Sequence, residues 1–354
     1  MRIQLTLALS AACIPTSLAA QTAPTASTAT AGPFVKTDAE AVVAKLATEL
    51  EENFVFPDVA KNYASLLRAK LAAGAYARFA DASAFADAVT ADLQAVHPDK
   101  HLRLYAPRPE DSGRQPQRGG PPAGLNAISK SGWLAPGVAY VRFEGFPGNK
   151  TTLDAVRAFI ADHANAKTLI IDARSHRGGG LAEMDLLFPH LFAKETVLVG
   201  MDTRVAVDER GGSPIIDERV RKIGGPAGVV RREHYVTPAS PQSSLATAKI
   251  YLLVSKATGS AGEHLALALK RTGRATLIGE TTRGMGHYGG TVPIAHGYRA
   301  FIPVGRTFDP DTNQGWEGTG VKPNVEVAAE KALDEALRLA GVNKSGDAAL
   351  AQLR

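Results

Sequence analysis

Several short stretches of the chain are continuous apolar runs that alternate with segments of helical pattern. They read TLII at 168–171, TVLVGM at 196–201, IYLLV at 250–254 and ATLIG at 275–279. Such runs are typical of β-strands covered on both faces, as the strands of a parallel sheet are. Helices are predicted between them at 151–165, capped by Thr151 or Thr152, at 181–193 and after Ser260. This order predicts an α/β fold with a central, mostly parallel sheet flanked by helices.

The N-terminal part of the chain differs, because helical segments there follow one another without strands. The predicted helices lie near 38–53, 58–73 and 82–96. At the start of the first, Thr37 and Glu40 in TDAE have the spacing of a capping box. We expect a small helical bundle over 36–106 that ends in a short strand, HLRLYA, beginning at His101.

The first residues, MRIQLTLALSAACIPTSLAA, combine Arg2 with an apolar core and small residues. This is the pattern of a secretory signal peptide over 1–20, and the segment is too short to be a membrane span. The single cysteine, Cys13, lies inside it. SAAC also has features of a lipoprotein site, but Ser10 stands where leucine is usual. The mature chain therefore has no cysteine for a disulfide or a thiol nucleophile, and we expect an exported protein.

Changes in composition divide the chain. The expected divisions are a signal peptide at 1–20, a disordered Thr/Ala/Pro-rich spacer at 21–35, the helical bundle at 36–106, an exposed loop at 107–130, an α/β domain at 131–330, and a C-terminal helix and tail at 331–354. Segments 206–245 and 286–308 are predicted as hairpins added to the sheet. The formal net charge of +5 is modest and no long Lys/Arg run occurs, so nucleic-acid binding is not indicated.

Two predicted strand ends are rich in glycine, one in RGGG and the other in TGSAG. Ligands of open α/β sheets gather beyond the carboxyl ends of the strands, and glycine lets the backbone approach a reacting group closely. Ser260 stands where the second strand passes into a helix, a common position for an attacking hydroxyl. The amides of Gly178 or Gly179 and of Ala261 are then expected to form an oxyanion hole.

Local chemistry alone leaves other readings open. A serine before a helix is most often an N-cap, and three glycines are most often a tight turn. As a nucleophile, Ser260 also needs a base, and spacing does not choose among His101, His176, His264 and His287. No histidine pair has HExxH spacing, so neither a metal site nor a cofactor is expected.

Three segments within residues 137–327 occur in the same order as the corresponding motifs of a known family. They read IIDARSHRGGG, TGSAGEHLALALKRTGRATLIGETTRG and GRTFDPDTNQGWEGTGVKPNVEV. Together they resemble the tail-specific or C-terminal-processing serine peptidase family, which implies a crotonase-like α/β catalytic domain. The N-terminal part is similar to the branch that contains interphotoreceptor retinoid-binding protein and the tricorn protease core. The span 107–130 is too short for the PDZ domain of the processing branch, which agrees with that placement.

The resemblance implies roles for individual residues. Ser260 falls on the nucleophile of the family, and Gly178 or Gly179 with Ala261 falls on the oxyanion hole. Processing peptidases use a lysine base in a GKG element, but this chain has GMG, with Met285 in the lysine position. A thioether cannot take a proton from a hydroxyl, so a Ser–Lys dyad with that element is excluded.

The tricorn-type arrangement uses a histidine, a serine just before it and a downstream glutamate. His101 matches the histidine and Glu317 the glutamate, whereas Lys100 stands where the second serine would be. Glu317 is then expected to hold His101 directly or through Lys100; the alternative is that the lysine leaves the histidine poorly oriented. Glu263 matches an acidic position of the processing branch, and stabilisation of a helix start explains it equally well.

The function implied is hydrolysis of peptide bonds in peptide or protein substrates through an acyl-enzyme. His101 would take the Ser260 proton and return it to the leaving amine, with no cofactor. The alternative is a non-catalytic binding protein for an apolar small molecule, because the retinoid-binding relatives use this fold to hold such a ligand.

Overall fold

The first elements of the chain are helices, as predicted. The structure, a computed structural model, describes residues 32–107, 124–215 and 217–353, all of which belong to one compact unit, Ala31–Arg354. Helices α1, α2 and α3 span Lys36–Asn53, Pro57–Ala72 and Ala82–Val96. The predicted signal peptide and most of the predicted spacer lie outside the described residues.

The predicted capping box of the first helix and the predicted threonine cap of the helix at 151–165 are both wrong. Helix α1 begins at Lys36, before Thr37, and its N-cap Val35 makes no side-chain cap hydrogen bond. Glu40 lies instead 3.7 Å from the Lys36 ammonium, one turn away. Helix α4, Lys150–Asp162, is capped by Asn149, whose side chain accepts from the Thr152 amide at 2.8 Å. The chain turns into each helix earlier than predicted, so the threonines lie within the first turn.

The predicted parallel sheet is present. Its strands, in spatial order, are β12 Val325–Glu326, β9 Thr276–Gly279, β8 Lys249–Val254, β4 Thr168–Asp172, β3 Val138–Phe143 and β2 Ile128–Ala135. All neighbours are parallel except β2 and β3, which form an antiparallel pair. Every residue of β4 is buried, which explains its continuous apolar run. The predicted 107–130 loop is too long, because β2 already begins at Ile128, and 108–123 lies outside the described residues.

A second sheet is antiparallel. Its strands are β1 Arg103–Tyr105, β5 Thr196–Arg204, β6 Val220–Ile223, β7 Val229–Val236, β10 His287–Pro293 and β11 Arg299–Phe308. The prediction that TVLVGM joins the parallel sheet is wrong, since β5 pairs antiparallel with β7 and β11. The apolar pattern of a strand indicates that the strand is buried, but it does not indicate which strands pair with it. The predicted hairpins at 206–245 and 286–308 appear as β6–β7 and β10–β11, both part of this second sheet.

The remaining helices cover the sheets. They are α5 Ala182–Leu191, α6 Val205–Glu209, α7 Ala261–Arg271, α8 Ala332–Leu339 and α9 Gly346–Leu350. Side chains of α4, α5 and α7 form one hydrophobic core with β3, β4 and β8, and α8 packs against the opposite face. The N-terminal helices share a core with β1 and β11. Over the residues described, no helix combines the length and apolar character required to cross a bilayer.

The carboxyl end of β4 is held by a buried ionic cluster. Asp172 is fully buried and accepts hydrogen bonds from the Tyr140 hydroxyl at 2.6 Å, Arg142 Nε at 3.0 Å and Arg174 Nη2 at 2.7 Å. Arg174 also donates to the Ala329 carbonyl oxygen at 2.7 Å. The cluster therefore anchors the loop that leaves β4.

We predict that Asp172→Ala lowers the free energy of unfolding by about 3–5 kcal/mol, because it leaves two partly buried guanidinium groups without their carboxylate. Urea denaturation measures the change. Asp154→Ala is the control, because Asp154 forms exposed pairs with Lys150 and Arg157 on α4, and its loss should stay within about 0.5 kcal/mol. A loss below about 1 kcal/mol in Asp172→Ala would contradict this account.

Candidate active site

Parallel pairing of β4 with β8 brings the two glycine-rich strand ends together. The register pairs Asp172 with Leu253, so both loops leave the sheet at the same edge. Thr258 then donates its hydroxyl to the Ala173 carbonyl oxygen at 2.7 Å, and the Gly259 amide donates to the His176 carbonyl oxygen at 3.0 Å. The loop before α7 is therefore tied to the RGGG loop by direct hydrogen bonds.

Ser260 is at the start of α7 with an unusual backbone conformation. Its φ of 55° and ψ of −118° differ from the extended conformation usual for an N-cap. A Cβ atom built on Gly178 would lie 2.9 Å from the Ser260 Cβ and 3.3 Å from its hydroxyl oxygen. The serine side chain therefore faces the RGGG loop directly, and a side chain at position 178 would collide with it. Left-handed backbone at a non-glycine residue is concentrated at functional sites.

The structure distinguishes the two candidate glycine donors. The Gly178 amide donates to His176 Nδ1 at 3.1 Å, so it is already engaged. The amides of Gly179 and Ala261 have no hydrogen-bond partner among the described residues. A Cβ atom on Gly179 would lie only 2.0 Å from the Phe146 carbonyl oxygen, so this position requires glycine. The amides available for an oxyanion are therefore those of Gly179 and Ala261.

Glu263 is a fully buried carboxylate one turn into α7. One oxygen accepts from the Ser260 amide at 2.9 Å and the Met285 amide at 2.8 Å. The other accepts from the Thr282 hydroxyl and the Gly284 amide, each at 2.6 Å. Four donors occupy its two oxygens, so Glu263 fixes the serine and the 282–285 loop and is not placed to take a proton.

The family's lysine position lies close to the turn that precedes Ser260. A Cβ atom built on Gly259 would lie 3.4 Å from the Met285 sulfur and 3.5 Å from Arg283 Cδ. The Arg283 amide donates to the Thr258 carbonyl oxygen at 2.9 Å. The loop thus reaches the turn before Ser260, but it presents a thioether and an exposed guanidinium group in place of an amine base.

His101 lies in a tight turn between α3 and β1, next to two carboxylates. The turn is closed by the buried Asp99, which accepts the His101 amide at 2.9 Å and the Leu102 amide at 3.1 Å. The His101 ring stacks on Phe301 with centroids 5.2 Å apart, and its Nδ1 is buried without a hydrogen-bond partner among the described residues. Sequence reasoning missed Asp99, although its carboxylate two residues before a histidine in DKH is a spacing that favours such a turn.

Glu317 contacts the turn through Lys100 and not through the His101 ring. Its oxygens accept from the Lys100 amide at 2.8 Å, the Gly286 amide at 2.6 Å and the His287 amide at 3.2 Å. The Lys100 ammonium donates to the Arg283 carbonyl oxygen. The structure therefore joins the His101 turn to the 283–287 loop. No hydrogen bond joins His101 to Ser260 within the part of the chain described.

Burial controls the charge states in this cluster. Burial lowers the pKa of His101 to about 4; Asp99 opposes the shift, and His287 and Arg283 add to it. Burial, followed by the charge of Asp99, raises the pKa of Glu317. Burial acts to raise the pKa of Asp99, but the hydrogen bond and charge of His287 outweigh it and the pKa is lowered. His101 is therefore neutral at neutral pH.

The other candidate bases are engaged elsewhere. His176 is fully buried, which lowers its pKa to about 3, and its Nδ1 accepts from Gly178. His287 contacts Asp99 with its Nδ1 2.7 Å from the carboxylate. His264 is hydrogen-bonded at 2.8 Å to His234, which contacts Asp185 at 2.9 Å. Among the four histidines considered, His101 is the one whose ring nitrogens make no hydrogen bond to a described residue.

One group of side chains has the composition of a cation site. Single donor atoms of Asp99, His101 and Glu317 lie within 4.8 Å of one another. These are ligand types for a divalent cation. The carboxylates of Asp99 and Glu317 already accept backbone amides, so both groups stabilise the fold without an ion.

Two family models match parts of this chain. The family model described as peptidase family S41 matches residues 137–327, and the model described as the N-terminal domain of peptidase S41 in eukaryotic IRBP matches residues 27–131. These matches confirm the resemblance in the predicted span.

Solved structures of low sequence identity share the fold. A protein of Parabacteroides merdae assigned as a peptidase has a TM-score of 0.56 at 15% identity, over 89% of this chain and 96% of its own. The photosystem II D1 C-terminal processing protease has a TM-score of 0.52 at 16% identity, over 87% and 98%. The tricorn protease has a TM-score of 0.50 at 14% identity, over 88% of this chain and 36% of its own.

The α/β fold predicted from the sequence is therefore confirmed. The first family model alone covers more than half of the 354 residues. The chain belongs to peptidase family S41, and it is a serine-type peptidase.

Proposed function

We propose that the chain is an exported peptidase that cleaves peptide bonds through an acyl-enzyme on Ser260, with His101 as general base. The observation that carries the proposal is the position of Ser260. It stands in a left-handed backbone conformation at the start of α7 and faces the RGGG loop, where the Gly179 and Ala261 amides are free of partners among the described residues.

The proposed reaction is acyl transfer in two steps. The Ser260 hydroxyl oxygen attacks the substrate carbonyl carbon while His101 takes its proton, and the Gly179 and Ala261 amides donate to the resulting oxyanion. His101 then gives the proton to the leaving amine as the peptide bond breaks. Water, deprotonated by His101, then attacks the acyl-enzyme carbonyl carbon, and His101 returns that proton to the Ser260 oxygen as the ester bond breaks and the second product leaves.

The partners of His101 are proposed to act by positioning. Glu317 holds the Lys100 amide, and Asp99 holds the His101 amide, so the turn that carries the base is fixed at both residues. Proton transfer requires the His101 ring and the Ser260 hydroxyl to approach to hydrogen-bond distance. We expect this approach when substrate binds, because catalytic hydrogen bonds are often long in free enzymes.

We predict that a fluorophosphonate labels Ser260 and that Ser260→Ala abolishes the label. His101→Gln should slow labelling about 10²–10⁴-fold, the usual contribution of a general base. The matched control is Lys100→Met, which keeps the amide donated to Glu317 and should slow labelling less than tenfold. Peptide mapping by mass spectrometry locates the label.

Failure of folded protein to react at Ser260 would contradict the proposal and favour the non-catalytic binding alternative. A larger loss in Lys100→Met than in His101→Gln would instead assign the base to the lysine. Circular dichroism of each variant establishes that the protein is folded.

We predict that the rate of Ser260 labelling depends on a group with a pKa of about 4. The neutral imidazole of His101 is the active form, and burial lowers its pKa to that value. The rate should therefore be constant at neutral pH and fall as the pH decreases through about 4. Labelling rates measured from pH 3.5 to 8 test this. A midpoint near 6.5, the ordinary value for histidine, would show that a different or solvated group is the base.

Export is supported by the sequence of residues 1–20, with its basic start, apolar core and small residues before Ala20. We predict that the protein recovered after secretion begins at residue 20 or 21. Edman sequencing of that protein, compared with an Arg2→Glu and Leu7→Asp double variant retained in the cell, tests the prediction. A wild-type protein that keeps its first residues in the cytoplasm would contradict export.

A further inference from the structure

We propose that Arg283 selects substrates with a carboxylate beside the scissile bond. This inference rests on the proposed acyl-enzyme function of Ser260. It names a specificity-determining residue outside the nucleophile, base and oxyanion donors, and it defines the chemical class of substrate.

The first observation is the position of Arg283. Its side chain runs along the turn that carries the nucleophile, because Arg283 Cδ lies 3.5 Å from a Cβ atom built on Gly259. Its amide is fixed to the Thr258 carbonyl oxygen at 2.9 Å. The positive charge also acts on the base, since it contributes to the lowered pKa of His101. Arg283 is exposed, so an incoming substrate can reach it.

The second observation is that the Arg283 charge is not neutralised by the site's own acids. Its guanidinium group has no ion pair or hydrogen bond with any residue that the structure describes. Glu263 is occupied by four donors, and Glu317 by three backbone amides. Asp99 accepts two amides and contacts His287. The carboxylates of Glu263, Glu317 and Asp99 are therefore bound to other groups, and the Arg283 cation is available to a substrate.

A second cation reinforces the first. The ammonium group of the exposed Lys100 donates a hydrogen bond to the Arg283 carbonyl oxygen. This bond links the His101 turn to the loop that carries Arg283, so one positively charged side chain comes from each of the two segments. A guanidinium group presents two parallel donors that match a carboxylate, and it is always charged. A carboxylate is thus the substrate group that this surface binds best.

The experiment uses two fluorophosphonates with short tails of equal length, one ending in a carboxylate and the other in a carboxamide. In wild-type protein the carboxylate probe should label Ser260 roughly tenfold faster, the size expected of one charge-assisted hydrogen bond. Arg283→Gln should reduce the ratio to about one. Arg283→Lys should give an intermediate ratio, since lysine keeps the positive charge but lacks the two parallel N–H donors of the guanidinium group.

The control variant is Lys130→Gln, which removes an exposed cation on β2, two strands away from β4. Its ratio should equal that of wild-type protein. Raising the ionic strength should reduce the preference of wild-type protein, because salt screens exposed charges. Equal rates for the two probes in wild-type protein, or an unchanged ratio in Arg283→Gln, would overturn the inference. Absence of labelling by both probes would count against the proposed function itself.

Competition by peptides identifies the source of the carboxylate. One pair compares a tetrapeptide acid with its amide, and the other compares amidated tetrapeptides that contain Glu or Gln. Stronger protection of Ser260 by the free acid assigns the carboxylate to a chain terminus, and stronger protection by the Glu peptide assigns it to a side chain. If neither acidic peptide protects better than its neutral partner, the inference is wrong.

Discussion

The parallel pairing of β4 with β8 is the constraint on which the rest of the site depends. Because both strands end at the same edge, the RGGG loop and the loop before α7 leave the sheet side by side. Hydrogen bonds from Thr258 to Ala173 and from Gly259 to His176 then set their separation. Ser260 faces Gly178 as a consequence, and the Gly179 and Ala261 amides, which have no partner among the described residues, come from two loops at one edge of the same sheet.

Two buried carboxylates and one half-buried carboxylate assemble the remaining parts of the site. Glu263 fixes the Ser260 amide and the 282–285 loop, while Asp99 and Glu317 hold the turn that carries His101. Glu263 and Glu317 each bind backbone amides from segments far apart in the chain, and Asp99 binds two amides of its own turn together with the ring of the distant His287. This use of acidic groups for positioning leaves the exposed Arg283 without an acidic partner among the described residues.

The sequence predicted those features that depend on local pattern. The apolar strands, the three N-terminal helices and the strand-to-helix position of Ser260 all follow from periodicity and glycine content. The contact between Asp99 and His287 could not be predicted, because the two residues are 188 positions apart. The assignment of β5 to the second sheet also depends on tertiary packing, since its apolar pattern fits either sheet.

The most direct test of the account is a crystal structure of the Ser260 fluorophosphonate adduct. We predict that the phosphoryl oxygen accepts hydrogen bonds from the Gly179 and Ala261 amides at about 3.0 Å. A His101 ring nitrogen should lie within hydrogen-bond reach of the phosphonate oxygens or of the serine oxygen. A phosphoryl oxygen directed away from both amides, or a different side chain in the place of His101, would contradict the proposed mechanism.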